Sequence, residues 1–410
     1  MRRWDIFCTV VDNFGDIGVC WRLAQQLADE HEADVRLWVD DLERFACLCP
    51  SLSTAAAAQQ VGPIEICRWP SDFPVVEVAD VVIEAFACEL PASYVAAMAR
   101  RPVAPVWINL EYLSAEAWVE DCHLLPSPHP KWPLTKFFFF PGFTAQTGGL
   151  LRERNLFAAR AAFDQTAAED FWRSLGVASR TDDELRISLF CYENPALPEL
   201  LQCWADGPAA VRVLASPGAA TEQIARWFGV ALSPCAQLRR ESLTVQSLPF
   251  LPQPRYDRLL WACDVNFVRG EDSFVRAQWA QRPFVWQIYP QAEDAHRVKL
   301  DAFLTRYLGE FADSTNPRRK FGPLKPEAQA KEDFACASGF KERVRSSSGA
   351  SSDVVRRCWH AWNGTGDMAA AWQDYVANRQ SLQRHGKVWA NQLDRAGDLA
   401  NNLARFVHGN

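Results

Sequence analysis

The sequence predicts an α/β protein of two doubly wound domains, and three observations carry that prediction. Strand and helix signals alternate over the first 113 residues. A long helical stretch over 151–176 then interrupts the pattern, and the alternation restarts from Leu185 to Ile288. The length, 410 residues, suits two or three domains of roughly 150 residues each.

Ile6 to Val11 is a mostly apolar run, as expected for a strand buried on both faces of a parallel sheet. The turn Asp12-Asn13-Phe14-Gly15-Asp16-Ile17-Gly18 follows it. Val19 to Glu30 reads as a helix, with Cys20, Leu23 and Leu27 on one stripe. Val35 to Val39, Ile64 to Trp69, Val81 to Phe86 and Val106 to Leu110 read as further strands, with helical stretches such as Pro91 to Arg101 between them. Lys136 to Phe143 reads as one last buried strand before the turn at Thr147-Gly148-Gly149. In the second half Leu185 to Tyr192, Val211 to Leu214, Leu243 to Leu248, Val265 to Val268 and Phe284 to Ile288 are the expected strands. Thr221 to Phe228, Asp257 to Cys263 and Ser273 to Gln281 are the helices that separate them.

Residues 314–352 break this pattern. They are polar and basic, end in a Ser/Gly/Ala tail, and are expected to form a mobile surface insertion. Helical patterning returns from Val354 through Trp359, Trp362, Met368 and Trp372. Leu393, Leu399, Leu403 and Phe406 suggest a closing amphipathic helix. The expected division is a first domain over 1–160, on which a C-terminal helix over 385–410 packs back, and a second domain over 161–384.

Composition removes several classes of function. Hydrophobic residues at 49% and charged residues at 23% are ordinary for a globular chain. No run approaches the roughly 18 apolar residues of a membrane span, and Met1-Arg2-Arg3-Trp4-Asp5 enters a strand-like run too soon to read as a signal peptide. The net charge of −7 disfavours generic adhesion to nucleic acid or anionic lipid. The 13 cysteines are scattered, several of them within apolar runs such as those around Cys8, Cys88 and Cys263, so reduced core thiols and a cytoplasmic location are expected. Cys47 and Cys49 have no second pair or nearby His to complete a zinc site. Neither a resident metal nor a cofactor is expected.

Common catalytic signatures are missing: G-x-x-x-x-G-K-[ST], G-x-G-x-x-G, H-E-x-x-H, G-x-S-x-G and Asp-x-Asp do not occur. Two strand-to-helix turns remain. In the first, Asp12 and Asp16 flank a helix start, with Gly15 allowing backbone to approach a ligand. Either carboxylate alone reads as a helix cap; two in one turn after a buried strand point also to chemistry. The second is Arg269-Gly270-Glu271-Asp272-Ser273, where helix N–H groups suit a phosphate. Capping accounts for Asp272 or Ser273 but not for Arg269 and Glu271 beside them. Tyr192, Phe250, Gln253 and Tyr289 fall at or beyond strand ends; each alone reads as packing, and together they outline a nucleotide pocket. An acid-bearing domain facing a phosphate-binding one across a cleft is the GT-B layout of nucleotide-sugar transferases.

At these residues the chain resembles one family, the protein-arginine rhamnosyltransferases (EarP) that modify elongation factor P. The resemblance rests on Trp4-Asp5-Ile6-Phe7-Cys8, on Val10-Val11-Asp12-Asn13-Phe14-Gly15-Asp16-Ile17-Gly18-Val19 and on Trp107-Ile108-Asn109-Leu110-Glu111-Tyr112-Leu113. It continues through Phe190-Cys191-Tyr192-Glu193, Arg269 to Gln278, Trp286 to Gln291 and Trp362-Asn363-Gly364. It implies two Rossmann-like domains, with the acceptor on the first and the donor on the second. The implied reaction is metal-independent, inverting transfer of L-rhamnose from dTDP-β-L-rhamnose to an arginine of elongation factor P, activating that factor for relief of ribosome stalling at polyproline. The implied catalytic acids are Asp12, Asp16 and Glu271. Asn13, Phe14, Gly15, Tyr192, Phe250, Gln253, Arg269, Asp272, Ser273 and Tyr289 are implied at the donor, with Phe250 and Tyr289 flanking thymine. The long polar segment 314–352 departs from the family pattern.

A guanidinium is a poor nucleophile, being charged up to a pKa above ~12 with delocalised lone pairs. A carboxylate can grip it, orient one nitrogen and take the proton. That role is assigned to Asp16, with Asp12 orienting the loop or the acceptor and Glu271 either binding sugar hydroxyls or ordering its loop. The competing readings are a nucleotide-sugar transferase or epimerase acting on a glycan or small molecule, and a non-catalytic elongation factor P binder.

Overall fold

The computed structural model describes residues 2–12, 14–181, 183–290, 295–313 and 347–409. The first half carries β1 (Arg3–Cys8), β2 (Asp34–Val39), β3 (Ala58–Val61), β4 (Ile64–Arg68), β5 (Val81–Ala85), β6 (Val106–Leu110), β7 (Pro126–Pro128) and β8 (Thr135–Phe139). They form one sheet in the order β3-β4-β2-β1-β5-β6-β8-β7. The six inner strands are parallel; β3 and β7 run antiparallel at the two edges. The second half carries β9 (Leu185–Leu189), β10 (Val211–Ala215), β11 (Gln237–Arg240), β12 (Leu243–Ser247), β13 (Val265–Arg269) and β14 (Phe284–Gln287), in the order β11-β12-β10-β9-β13-β14.

In both sheets the strand order reverses beside the first strand, at β1 and at β9, which is where a doubly wound sheet opens its ligand crevice. The inner strands are buried on both faces, consistent with their near-continuous apolar sequences. Asp5 is the exception in β1: it lies fully buried in a bidentate pair with Arg36 of β2, both bonds 2.7 Å, so the charge is matched inside the sheet.

Several boundaries differ from expectation. The first strand ends at Cys8, not Val11, because the next backbone donors go to carboxylates: Val10 N to Asp40, and Val11 N and Asp12 N to Asp16. The last strand of the first sheet ends at Phe139, just before Pro141, a residue that cannot donate to a ladder. The expected helix over 151–176 is two helices, Leu156–Ala161 and Gln165–Ser174, the second capped by Asp164 accepting from Ala167 N at 2.9 Å. Of the polar segment 314–352, residues 314–346 lie outside the described residues, and the helix Ser347–Trp362 takes in the remainder.

Leu382, Trp389, Ala390 and Leu393 of the helix Arg379–Arg395 belong to the core of the second sheet. Leu399, Ala400, Leu403 and Val407 of the helix Leu399–Gly409 belong to the core of the first. The returning chain therefore crosses between the cores at residues 396–398, later than the expected 385. It crosses beside the outgoing chain, with Leu399 N donating to Leu150 O at 3.1 Å and a parallel bridge joining Leu150 to Asp398. The described cysteines are free thiols, with Cys8 and Cys263 buried. No helix among the described residues is long and apolar enough to cross a membrane.

Candidate active site

The loops that follow β1, β5 and β6 face those that follow β9, β12, β13 and β14, so the two crevices open onto one cleft. Asp12 stands at its centre. Its Oδ2 accepts from the Tyr192 hydroxyl at 2.6 Å and its Oδ1 from Arg269 Nη1 at 3.3 Å. The Arg269 guanidinium lies 4.3 Å from the ring centres of both Phe190 and Tyr192, which fixes the plane it presents. Two glycines make room for this carboxylate. A Cβ on Gly15 would sit 2.7 Å from Asp12 Oδ2; one on Gly270, whose φ is +61°, would sit 2.9 Å from Asp12 Oδ2 and 3.1 Å from the Tyr192 hydroxyl.

Asp12 and Gly270 divide the cleft into two cavities. The first, open on one side, is lined by Phe14, Phe190, Pro217, Phe250, Tyr256, Arg269 and Ser273 among others. Phe14 and Phe250 meet edge to face at 4.9 Å on its wall. Flat apolar walls beside a guanidinium and the start of the helix Asp272–Ala280 suit a base carrying phosphates.

The second cavity, about 270 Å³, holds the acids. Asp16 lines it although only 2% exposed; its Oδ2 accepts from Val11 N and Asp12 N, both at 2.8 Å. Burial holds its carboxyl above the ordinary range, against the opposing pull of those two N–H groups. Glu271, partly buried, accepts from Leu113 N at 3.0 Å, and burial, with Asp16 and Asp272 nearby, pushes its carboxyl up to about 8. Phe86 and Tyr112 stack at 4.5 Å on the same wall, with Tyr289 and Lys299 opposite.

The remaining expected residues connect the halves. Gln253 Nε2 donates to Gly18 O at 2.8 Å and to Asp272 Oδ2 at 3.2 Å, while Asp272 Oδ1 accepts from Arg22 Nε at 2.7 Å. The Ser273 hydroxyl is engaged with the backbone of Arg269, accepting from its N–H at 3.1 Å and donating to its carbonyl. Phe250 and Tyr289, expected to flank one base, line different cavities; Tyr289 instead meets Tyr192 edge to face at 5.4 Å. Asn13 lies outside the described residues. Among the described residues no group of three or more His, Cys, Asp or Glu is placed to hold a metal ion.

Sequence reasoning missed the buried charges behind this wall. Arg22 and Arg276 grip Asp257 with four bonds of 2.7–3.2 Å, and both also reach Glu153. The available signal was a lone arginine inside an apolar helix run, Val19-Cys20-Trp21-Arg22-Leu23 and Phe274-Val275-Arg276-Ala277. Tyr112 and Phe86 were missed too, since a single aromatic after a strand carries no pattern.

Two Rossmann-like sheets whose crevices meet over these groups define a glycosyltransferase of the GT-B fold. The family described as Elongation-Factor P (EF-P) rhamnosyltransferase EarP matches residues 4–322 and 336–408. The protein-arginine rhamnosyltransferase of Pseudomonas putida is 45% identical over 406 residues, 98% of each chain. That of Pseudomonas aeruginosa is 43% identical over 409 residues, 99% of each. A solved structure described as the structural basis for EarP-mediated arginine glycosylation of translation elongation factor EF-P is 33% identical, with a TM-score of 0.65 over 100% of this chain and 99% of that one. The chain belongs to the EarP family of protein-arginine rhamnosyltransferases.

Proposed function

We propose that this enzyme transfers L-rhamnose from dTDP-β-L-rhamnose to one arginine side chain of elongation factor P, with inversion at the anomeric carbon. The observation that carries this reading is the division of the cleft at Asp12 and Gly270, with an aromatic-walled cavity beside Arg269 on one side and the acids Asp16 and Glu271 on the other. Thymine and diphosphate occupy the first cavity, the acceptor guanidinium enters the second, and the anomeric carbon lies at the boundary.

The acceptor nitrogen attacks that carbon as the bond to the diphosphate oxygen breaks, and the electron pair leaves with the diphosphate. The nitrogen's proton passes to Asp16, whose buried carboxylate is a stronger base than an exposed one. Arg269 and the N–H groups opening the helix Asp272–Ala280 meet the leaving charge, and no metal is required. Asp12, held by Tyr192 and Arg269, ties the acceptor loop to the donor loop. Glu271, whose carboxyl keeps its proton up to about pH 8, offers a hydrogen bond to a sugar hydroxyl.

Intact-mass spectrometry of elongation factor P after incubation with this enzyme and dTDP-rhamnose tests the reading. A gain of one deoxyhexose on a single arginine is expected. An unmodified factor, with donor binding intact by calorimetry, would refute the acceptor.

A further inference from the structure

A third cavity lies at the opposite end of the second sheet from the cleft, at the N-terminal ends of β9, β13 and β14. Its lining brings together cations from well-separated segments: Arg160 from one helix, Arg282 just before β14, and Lys387 from the helix Arg379–Arg395. Arg160 Nε donates to Ala280 O at 2.8 Å and Arg282 Nε to Trp261 O at 3.0 Å. Neither guanidinium has a carboxylate partner among the described residues.

Among the described residues the nearby acids have other partners, although Asp264 also attracts the Arg282 guanidinium. Asp164 caps its own helix, Glu169 accepts from Gln165, and Asp264 is taken by Arg180 and by the N–H of Arg186. Trp172 and Trp261, both under 9% exposed, and Phe163 make the floor apolar, which weakens solvent screening of the two arginines. Burial, together with repulsion from Arg282, pulls Arg160 down to about 10. Elsewhere in this acidic chain, buried guanidiniums such as Arg22, Arg36 and Arg276 are held in carboxylate forks.

We propose that this cavity is an anion site for a phosphoryl group, held between Arg160 and Arg282 with Lys387 at its rim. Both arginines fix their Nε on backbone carbonyls, which aims the free ends of the guanidiniums and lowers the entropy lost on binding. A tetrahedral dianion neutralises two cations at once and accepts from both forks. The group comes either as free phosphate or as the phosphate of a larger molecule.

Calorimetry on the full chain, at fixed ionic strength, with inorganic phosphate and separately with adenosine monophosphate, tests this. Saturable binding is expected for at least one, and the source is the ligand whose binding the Arg160 and Arg282 variants weaken, because the first cavity of the cleft also suits a base carrying phosphate. Arg160→Gln and Arg282→Gln should each weaken that binding at least tenfold, as expected for loss of a charge-assisted hydrogen bond. Arg357→Gln, remote from the cavity, should leave it unchanged. Should a glutamine variant misfold by circular dichroism, Arg160→Lys and Arg282→Lys keep the charge but not the fork, and should also weaken binding. No saturable heat in the wild type, or wild-type affinity in the Arg160 and Arg282 variants, would overturn the proposal.

Discussion

Asp16→Asn is the substitution whose outcome the geometry constrains most tightly. The two loop N–H groups, from Val11 and Asp12, both reach the same carboxylate oxygen, Oδ2. An asparagine carbonyl placed there keeps both bonds, so the loop that carries Asp12 holds its course. What is lost is the second oxygen's capacity to accept a proton, since an amide is not a base at neutral pH. Loss of a positioned general base costs about 10²- to 10⁴-fold in rate, or ~3–5 kcal/mol in barrier at 1.36 kcal/mol per tenfold. Arg269, Tyr192 and Phe250, the residues proposed to hold the donor, do not touch Asp16, so affinity for thymidine diphosphate should stay within about threefold of wild type, a change under ~0.7 kcal/mol. Asp16→Ala, which orphans both N–H groups as well, should lose donor affinity in addition. The assay pairs calorimetry of diphosphate binding with a mass-spectrometric time course of acceptor modification. Transfer within tenfold of wild type, or loss of diphosphate binding in the asparagine variant, would refute the base assignment.

Further expectations follow from the same contacts. Tyr192→Phe removes the 2.6 Å bond to Asp12 but keeps the ring under Arg269, and should lower kcat/KM about 10- to 100-fold, the worth of a hydrogen bond to a charged group; unchanged kinetics would mean that Asp12 is held by Arg269 alone. Gly270→Ala must place a Cβ against Asp12 and Tyr192 at a positive φ, and should cost about 1–2 kcal/mol in urea unfolding besides most of the activity; wild-type turnover would show that the partition is not needed. For Glu271, the folded pKa of about 8 stands above the unfolded value near 4.3. The folded chain therefore holds a proton that the unfolded one has released, and stability falls as pH rises between those values. Glu271→Gln should flatten the decline in melting temperature from pH 5 to 8, and parallel curves for the two proteins would contradict this. Transfer activity should survive dialysis against EDTA; a loss restored by a divalent ion would establish a metal requirement.

The parallel interior of both sheets was legible because its strands are apolar runs of about five residues separated by helix-length segments. The antiparallel edge strands were not. Ala58–Val61 and Gln237–Arg240 are four residues long, alternate between exposed and half-buried, and look like loop; Pro126–Pro128 has proline at both ends, tolerable only at an edge. Val10 and Val11 misled in the opposite sense. They are apolar and follow a strand, yet Val11 is 65% exposed, because its N–H belongs to Asp16 and not to a neighbouring strand. At the site, residues in one contiguous string, such as Arg269 to Ser273, were readable as a group. The network of Arg22, Glu153, Asp257 and Arg276 was not, since its members are up to 254 positions apart and each alone is one charge in a helix or loop.

The bridge between Leu150 and Asp398 carries a mechanical consequence. The outgoing and the returning chain run side by side at that bridge. The bridge is one of several ties: Arg22 of the first half is also held by Asp257 and Asp272 of the second, and Gln253 Nε2 donates to Gly18 O, so neither half can shift without breaking buried bonds. Chain crossing and ion pairs together fix the register of the two halves, and with it the place of Asp12 against Tyr192 and Arg269.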